Sequence, residues 1–475
     1  MLRNFFKKNW LIAIIIVFGL VVRFKDFWAV PIDAHPMRQT DTECVAYFMY
    51  TGKSNFFYPK ACLMRPVSNI DGYFFLEMPF YEGLIAVSYK IFGVNPGVAR
   101  LVNLILYIFG SMALYGFMKG WWNRKTAYLS VFVFSFVPGS IFFVGHAIHP
   151  DAMAVSFILI SLFFGWKYRE NGKLLNLWLS GLTLGISVAS RPFGLICLPV
   201  LGYFLYLRKS KWWKYLVVFG LSVGFYGFWW WWTRKLGVDM SWENWVLSGR
   251  EKLLVWENVK NLIWKNVIGE TMGKVVSLLA GIGLLIEIFK KDKRVIPLIL
   301  WLGGVMIYWL IVPSGNLVHQ YYADVYIPLV VILAAAGLAW IWDRSKILGI
   351  LILPVLIYNG VRTSNYHFDI RFNTGAVEIA EEIKKEIPED KKIIYLVKDD
   401  SIPLSLSHHQ GWMLGEWPTD VAVHIWAFME MRNYNFDYIV ESKDRVDLKV
   451  EDWEIIKMNY PLVKSGDKIN IYRYQ

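Results

Sequence analysis

Apolar residues in this chain come in long blocks between residue 9 and about residue 360. The first block, WLIAIIIVFGLVV (10–22), contains no charged residue. A hydrocarbon core of roughly 30 Å needs about 20 apolar residues per helix, and most blocks approach that length. The pattern predicts an all-α polytopic membrane protein with about eleven transmembrane helices. They are expected near residues 9–24, 98–118, 126–143, 151–167, 174–190, 193–207, 212–233, 268–290, 295–312, 324–342 and 346–360.

Beyond residue 360 the pattern changes to shorter, mixed-charge segments. One segment, GAVEIAEEIKKEI (375–387), has apolar residues at helical spacing. Three others resemble strands: KIIYLV (392–397), FDYIV (436–440) and KINIYRY (468–474). We therefore predict a transmembrane domain at residues 1–360, which includes a long first loop at 25–97, and a small α/β domain at residues 361–475.

Two loops are too long to be simple connections. The first loop contains MPFYEGLIAVSYKIF (78–92), and the fourth outer loop contains a run of Trp and Leu among Lys and Glu at 240–267. Such amphipathic segments are typical of helices that lie in the membrane interface. We expect interfacial helices in both loops.

Basic residues predict the orientation of the chain in the membrane. Arg3, Lys7 and Lys8 precede the first block, and every second loop after it is basic, as in KGWWNRK (119–125). Because cytoplasmic loops carry an excess of Lys and Arg, the N-terminus is expected in the cytoplasm. An odd number of spans then places the C-terminal domain outside a plasma or inner membrane. The same loops account for the net charge of +12, and the absence of an interleaved basic and aromatic patch argues against a nucleic-acid partner.

Polar residues suited to chemistry gather at the predicted outer ends of the spans. The spans themselves are nearly free of charge, which argues against a conduction path and for a reaction at the outer surface. The clustered residues are Asp33, His35, Arg38, Gln39, Asp41 and Glu77 in the first loop, and His146, His149, Asp151, Arg191, His319, Gln320, Tyr321 and Tyr322 further along.

Several outer residues are cationic, although basic residues are disfavoured on that side. The candidates to hold a phosphate group, which arginine can bind with two hydrogen bonds, are Lys53, Lys60, Arg65, Arg191, Arg234 and Arg250. The alternative is that long loops escape the charge rule, and it is weakest for Arg191 because only a few residues separate its two spans.

The first loop also contains two of the three cysteines of the chain, Cys44 and Cys62. An outside location permits one disulfide between them, but unpaired thiols fit the sequence equally well.

Short motifs in order along the chain carry a family resemblance. They are EMP (77–79), FG (92–93), Arg100, HPDA (149–152), SRPFG (190–194) and HQYYADVYIPLVVILAAAG (319–337). With an acidic first outer loop, this order resembles the dolichyl-phosphate-mannose–protein mannosyltransferases and their bacterial relatives, the lipid A aminoarabinose transferases. Both are GT-C-type membrane glycosyltransferases.

The resemblance implies transfer of a sugar from a polyprenyl-phosphate donor to an acceptor hydroxyl at the outer membrane face, with inversion at the anomeric carbon. The acceptor would be a glycolipid, a glycan or a protein, and membrane lipids would surround the enzyme. Such a reaction needs a carboxylate as general base and cations that stabilise the departing phosphate.

This chain departs from the family at the pair Asp-Glu that many relatives carry in the first loop. Alignment on CVAYFM (44–49) places Arg38 and Gln39 at those positions. The catalytic carboxylate is then expected to be Asp33 or Asp41. Either residue has another interpretation, because Asp33 could be an ordinary turn residue and Asp41 could cap the following helix or lie in its first turn.

The remaining candidates are interpreted as substrate-binding residues, and no metal ligand is assigned. They are His35, Arg38, Gln39, Lys60, Arg65, Glu77, His149, Asp151, Arg191, His319, Gln320, Tyr321 and Tyr322.

Open alternatives are that Glu77 and Asp151 only cap helices, and that Tyr321 and Tyr322 belong to an interfacial aromatic belt. A divalent cation held by His149, His319 and carboxylates is a further alternative, because some relatives bind metal.

Two other classes of protein remain as rivals. A transporter or flippase of lipid-linked sugars would also be polytopic and basic, but it should have charged residues inside the spans and an inverted repeat. A scaffold that only presents its C-terminal domain to a partner would have no use for converging polar clusters.

Overall fold

The computed structural model describes residues 10–64, 71–237, 245–370, 375–396, 401–414, 436–443 and 460–473. Its contacts divide the chain into two compact units. The helical unit comprises Met1–Phe27 and Arg100–Asp369, and the loop–tail unit comprises Trp28–Ala99 and Ile370–Gln475. This grouping differs from the division at residue 360, because the first loop packs with the C-terminal segment.

The helical unit consists of apolar helices joined by short connections. The α-helices are α1 (Trp10–Val21), α4 (Pro96–Trp121), α5 (Arg124–Phe136), α6 (Pro138–Phe142), α7 (Asp151–Asn171), α8 (Leu174–Ser190), α9 (Leu198–Leu207), α10 (Trp212–Lys235), α11 (Trp256–Lys260), α12 (Lys274–Phe289), α13 (Val295–Ile311), α14 (Pro313–Val318), α15 (Ile327–Arg344) and α16 (Lys346–Asp369). Tighter 3₁₀ turns occupy Pro192–Cys197, Arg250–Leu254 and Gln320–Tyr326, and a π-helix occupies Asn261–Met272.

Among the described residues, four helical segments have the length and hydropathy to cross a bilayer: Pro96–Trp121, Asp151–Asn171, Gln320–Arg344 and Lys346–Asp369. A fifth span is formed if Trp256–Met272 and Lys274–Phe289, which meet at a bend of 106°, are counted together. The chain is therefore a mostly helical, multi-pass membrane protein. Shorter apolar helices lie near several other predicted spans, so the count of about eleven stays a prediction.

Proline and glycine break two of the predicted spans. The segment predicted at 126–143 is divided at Val137, because Pro138 begins a new helix and has no backbone N–H to continue the old one. The segment predicted at 268–290 bends at Gly273, whose φ of 77° lies in the left-handed region that favours glycine. The last span runs to Asp369 instead of ending at residue 360.

Helices α12 and α15 approach each other closely through two glycines. A β-carbon at Gly283 would lie 2.0 Å from the carbonyl oxygen of Leu333, and one at Gly337 would lie 2.2 Å from that of Leu279. Small residues at such a crossing allow helix backbones to pack where a larger side chain would separate them.

The described part of the loop–tail unit combines four helices with a sheet. Helices α2 (Pro36–Thr51) and α3 (Phe80–Phe92) come from the first loop, and α17 (Gly375–Glu386) and the short α18 (Ile402–Ser407) come from the tail. The strands are β1 (Ile393–Leu396), β2 (Gly411–Leu414), β3 (Tyr438–Ser442), β4 (Leu462–Ser465) and β5 (Ile469–Arg473). Their order is β2-β1-β3-β5-β4; β1 is parallel to both β2 and β3, and β5 is antiparallel to its neighbours.

This sheet confirms the predicted α/β character of the tail. Helix α17 and three strands coincide with the predicted segments, whereas β2 and β4 were not predicted. Ile379 and Ile383 of α17 pack on Ile393 and Val440 of the sheet. Leu63 of the first loop lies in the same core, where its burial stabilises the unit by about 1.5–3 kcal/mol.

Backbone pairing and a disulfide fasten the first loop within this unit. The Gly411 N–H donates to the carbonyl of Cys62, and the Met64 N–H donates to the carbonyl of Gly411. Cys44 of α2 forms a disulfide with Cys62, with their Cα atoms 6.0 Å apart. The alternative of unpaired thiols at these positions is therefore wrong.

Removing this disulfide should destabilise the loop–tail unit. A cross-link across 18 residues restricts the unfolded chain and contributes about 3 kcal/mol. We expect Cys44→Ser and Cys62→Ser to lower the thermal unfolding midpoint of the purified protein, and the double variant to behave like either single variant. Cys197→Ser, which changes a buried thiol outside the pair, is the control. Equal unfolding midpoints for the wild type and Cys62→Ser would contradict a structural role.

Candidate functional site

Four predicted residues come together inside the helical unit around an ion pair, and we call His149, Asp151, Arg191 and Tyr321 the Arg191 cluster. Arg191 lies between α8 and the turn that begins at Pro192, and Asp151 is the first residue of α7. The Arg191 Nε donates to Asp151 Oδ1 at 3.0 Å and its Nη2 donates to Oδ2 at 2.8 Å. This bidentate geometry is the strongest that an arginine can make with a carboxylate.

His149, in the loop before α7, contacts both members of this ion pair. Its Nδ1 contacts Oδ2 of Asp151 and lies 3.1 Å from Nη2 of Arg191. Asp151 is only 1% exposed, and no side chain caps α7 at Pro150. The interpretation of Asp151 as a simple helix cap is therefore wrong, because its carboxylate is directed to Arg191 and His149.

Aromatic rings from the motif at 319–326 cover this cluster. The Tyr321 ring lies 4.5 Å from that of His149, and the guanidinium carbon of Arg191 lies 5.5 Å from the Tyr321 ring centre. His319 stacks on Tyr321 at 5.1 Å. Tyr321 and Tyr322 are buried, so they pack inside the unit and do not form an exposed aromatic belt.

The neighbouring Gln320 faces a different part of the helical unit. Its carbonyl accepts a hydrogen bond of 3.2 Å from Thr271, and its side chain hydrogen-bonds to Glu270. Gln320 therefore joins the turn before α15 to the π-helix.

Asp324 is a buried residue that the sequence analysis did not select. It is fully buried, and neither carboxylate oxygen has a hydrogen-bond partner among the described residues. A β-carbon at Gly139 would lie 2.9 Å from its Oδ1, so the glycine leaves room for this carboxylate. The signal that could have revealed Asp324 is an acidic residue at the start of the apolar segment 320–344.

A second group of predicted residues lies in the loop–tail unit, at the start of α2; we call Asp33, Arg38, Gln39 and Glu77 the first-loop cluster. Asp33 is fully buried, and its Oδ1 accepts a hydrogen bond of 2.5 Å from Nε2 of Gln39. The same nitrogen donates to the carbonyl of Ala34 at 2.9 Å. These bonds fix the Asp33 carboxylate beside the N-terminus of a helix, where negative charge is favoured.

His35 sets the direction in which α2 begins. Its φ of 58° and ψ of 49° place it in the left-handed region, and Pro36 follows as the first helical residue. A non-glycine residue in that region stores strain, which surrounding contacts must hold. Asp33 is therefore part of a constrained turn.

Arg38 and Glu77 form an ion pair within the cluster, and both side chains are largely buried. Glu77 precedes α3 by three residues, and the N-cap of that helix is Pro79 without a side-chain bond. The interpretation of Glu77 as a helix cap is wrong. Asp41 lies in the second turn of α2, where it accepts a hydrogen bond of 3.2 Å from Ser405, so it neither caps the helix nor lies in its first turn.

The sequence also predicted two cations of the first loop, Lys60 and Arg65, as substrate-binding residues. The Lys60 ammonium lies 5.5 Å from the centre of the Tyr73 ring. Arg65 lies outside the described residues. Across the described ranges, no group of three or more His, Cys, Asp or Glu side chains is arranged to hold a metal ion.

At the level of sequence, part of this chain matches known proteins. Residues 77–232 match the family model of the dolichyl-phosphate-mannose-protein mannosyltransferases. A protein of Aquifex aeolicus (strain VF5) whose function is uncharacterized is 29% identical over 139 residues, which is 28% of this chain and 27% of that relative. The chain thus covers about a quarter of that relative's length.

Solved structures match the fold over nearly the whole chain. ArnT from Cupriavidus metallidurans bound to undecaprenyl phosphate superposes with a TM-score of 0.67, 12% sequence identity, and coverage of 97% of both chains. An oligosaccharyltransferase from Archaeoglobus fulgidus matches with a TM-score of 0.59, 12% identity, and coverage of 91% of this chain and 68% of that one.

The fold of this chain is therefore similar to that of ArnT and of the archaeal oligosaccharyltransferase. The predicted resemblance to the protein mannosyltransferases is confirmed by the family model over residues 77–232, and the fold resembles that of ArnT over 97% of the chain.

Breaking the Arg191–Asp151 pair should destabilise the helical unit. A buried charge that loses its partner costs about 3–5 kcal/mol, so Arg191→Gln and Asp151→Asn should each lower the thermal unfolding midpoint strongly. The double variant should be less destabilised than the sum of the single variants. Lys167→Gln, which breaks an exposed ion pair with Glu170 on the same helix, is the control. If the double variant lowers the unfolding midpoint by the sum of the two single losses, direct coupling between Arg191 and Asp151 is contradicted.

Proposed function

We propose that this chain is an inverting glycosyltransferase that moves a sugar from a polyprenyl-phosphate donor to an acceptor hydroxyl at the outer face of a plasma or inner membrane. The observation that carries the proposal is the fully buried carboxylate of Asp33, held by Gln39 at the start of α2. The fold supports the choice of donor, because the ArnT structure that it matches holds undecaprenyl phosphate.

The general base in this proposal is Asp33. The acceptor oxygen attacks the anomeric carbon while the carboxylate takes the hydroxyl proton, and the bond from that carbon to the phosphate oxygen breaks with its electron pair leaving on the phosphate. Hydrogen bonding from the neutral amide of Gln39 orients the carboxylate without neutralising its charge. Asp33 is fully buried, so in this proposal the first-loop segment moves to admit the acceptor.

Asp41 is the weaker of the two candidates for this role. It is half-buried and accepts a hydrogen bond from Ser405 of the tail. Its position in the second turn of α2 also lacks the constrained turn that surrounds Asp33. We therefore propose that Asp41 has a structural role, in which its hydrogen bond from Ser405 holds α2 in position.

Arg191 is proposed to stabilise the charge on the departing lipid phosphate. Its hydrogen bonds to Asp151 and His149 use Nε and Nη2. In the described part of the chain, no acceptor occupies the two donors of Nη1. A guanidinium oriented by one carboxylate can thus offer its remaining edge to a phosphate oxygen.

The remaining assignments follow from the same reaction. His149, His319, Tyr321 and Tyr322 would shape the site around the donor, and the acceptor would be a glycolipid, a glycan or a protein. We also propose that the N-terminus is cytoplasmic and the tail extracytoplasmic, because every second loop is basic.

Substitution of the two candidate bases tests this assignment. The full chain is purified into proteoliposomes with lipid-phosphate-linked sugars, and release of polyprenyl phosphate is measured. Loss of a general base costs about 10²–10⁴-fold in rate, so Asp33→Asn should lower kcat by that factor. Asp41→Asn should have a smaller effect, and Asp390→Asn, at an exposed acid of the same unit, should match the wild type.

Two outcomes would overturn parts of this proposal. A larger loss in Asp41→Asn than in Asp33→Asn would exchange the roles of the two acids. Movement of the lipid-linked sugar across the bilayer without its consumption, in the wild type and in both variants, would favour a flippase.

A further inference from the structure

A buried contact in the loop–tail unit joins helix α2 to residues more than 360 positions later in the chain. Glu43 lies in the middle of α2 and is only 5% exposed. Its Oε2 accepts a hydrogen bond of 3.1 Å from Nε2 of His408, and its Oε1 accepts one of 2.8 Å from the Tyr89 hydroxyl of α3. One carboxylate thus ties α2 to both α3 and the tail.

The charge on Glu43 depends on these partners. Burial alone would raise the pKa of Glu43, but the positive charge of His408 and the hydrogen bonds from His408 and Tyr89 outweigh it, so the pKa lies below its usual value. Glu43 is therefore a carboxylate at neutral pH. Without its partners it would be a buried charge, which a protein interior tolerates poorly.

The backbone holds His408 in place for this contact. His408 follows α18 with a φ of 61°, in the left-handed region, and its ring stacks on Tyr47 at 3.8 Å with an angle of 12°. Tyr47 lies one turn after Glu43 on α2 and donates to Glu389 of the tail at 3.0 Å. Because the tail contacts the same face of α2 on successive turns, it fixes both the rotation and the position of the helix.

The first turn of the same helix carries Gln39, which holds Asp33. An α-helix transmits a rotation along its length, so a change at Glu43 alters the geometry at Gln39 one turn away. We propose that Glu43 and His408 are positioning residues of the transferase reaction, through which the tail orients Gln39 and the carboxylate of Asp33. This inference rests on the proposed function. It gives the tail a role in the reaction, which is to orient the catalytic carboxylate of the first loop.

The test uses the full chain in proteoliposomes with two variants at position 408. His408→Asn tolerates the left-handed backbone but removes the ring, whereas His408→Gln keeps an amide donor long enough to approach Glu43. Lys464→Gln is the matched control, because it breaks a tail ion pair with Glu386 that does not involve α2. Transfer kinetics are measured together with hydrogen–deuterium exchange of residues 36–51.

Small displacements of a catalytic group cost up to about a hundredfold in rate, so His408→Asn should lower kcat about 10–100-fold with the donor KM within about twofold. His408→Gln should recover part of the loss. Glu43→Gln combined with His408→Asn should be no slower than the slower single variant. Exchange in residues 36–51 should rise in His408→Asn and stay at the wild-type level in Lys464→Gln.

Three results would count against the inference. Wild-type kcat in His408→Asn, or a loss confined to KM, would overturn it while leaving the transferase function intact. Unchanged exchange in residues 36–51 would overturn the coupling whether or not the chain transfers sugar. Absence of transfer by the wild type itself would overturn the proposed function, and with it the assignment of these residues to the reaction.

Discussion

Hydrocarbon offers no hydrogen bonds, so a membrane protein can bury a charge only where another group of the protein partners it. Arg191 and Asp151 meet this requirement with a bidentate pair at the ends of two helices, and His149 adds a third polar group to it. The pair thereby joins α7 to the turn after α8. The surrounding helices can then be apolar, because the polar chemistry is concentrated where helices begin and end.

The loop–tail unit is stabilised differently, because most of its residues do not belong to an apolar membrane span. A disulfide, a backbone pairing with β2, and the insertion of Leu63 into the core under the sheet fasten the first loop to the tail. The buried contact of Glu43 with His408 adds a polar link to these. Together they give helix α2, whose Gln39 holds the candidate base Asp33, a defined orientation.

Candidate residues could be selected from the sequence by type and position, but their partners could not. Arg191 and Asp151 are 40 positions apart and belong to different motifs, yet they share two hydrogen bonds. Glu77 and Asp151 looked like helix caps because acids often precede helices, and the structure directs both carboxylates to arginines instead. Glu43 and His408 were missed because nothing in their local sequence signals burial, whereas Asp324 could have been found as an acidic residue at the start of the apolar segment 320–344.

Hydropathy by itself determined that this chain is a polytopic helical membrane protein with a small α/β tail, because the apolar blocks and the strand-like segments are local properties of the sequence. Proline and glycine also determine locally where helices break, as at Pro138 and Gly273. Hydropathy averaged over a window does not detect these breaks. Only the tertiary structure decided that the first loop packs with the tail and that Cys44 pairs with Cys62. Those contacts join residues far apart in the chain, and their formation depends on the packing of whole elements.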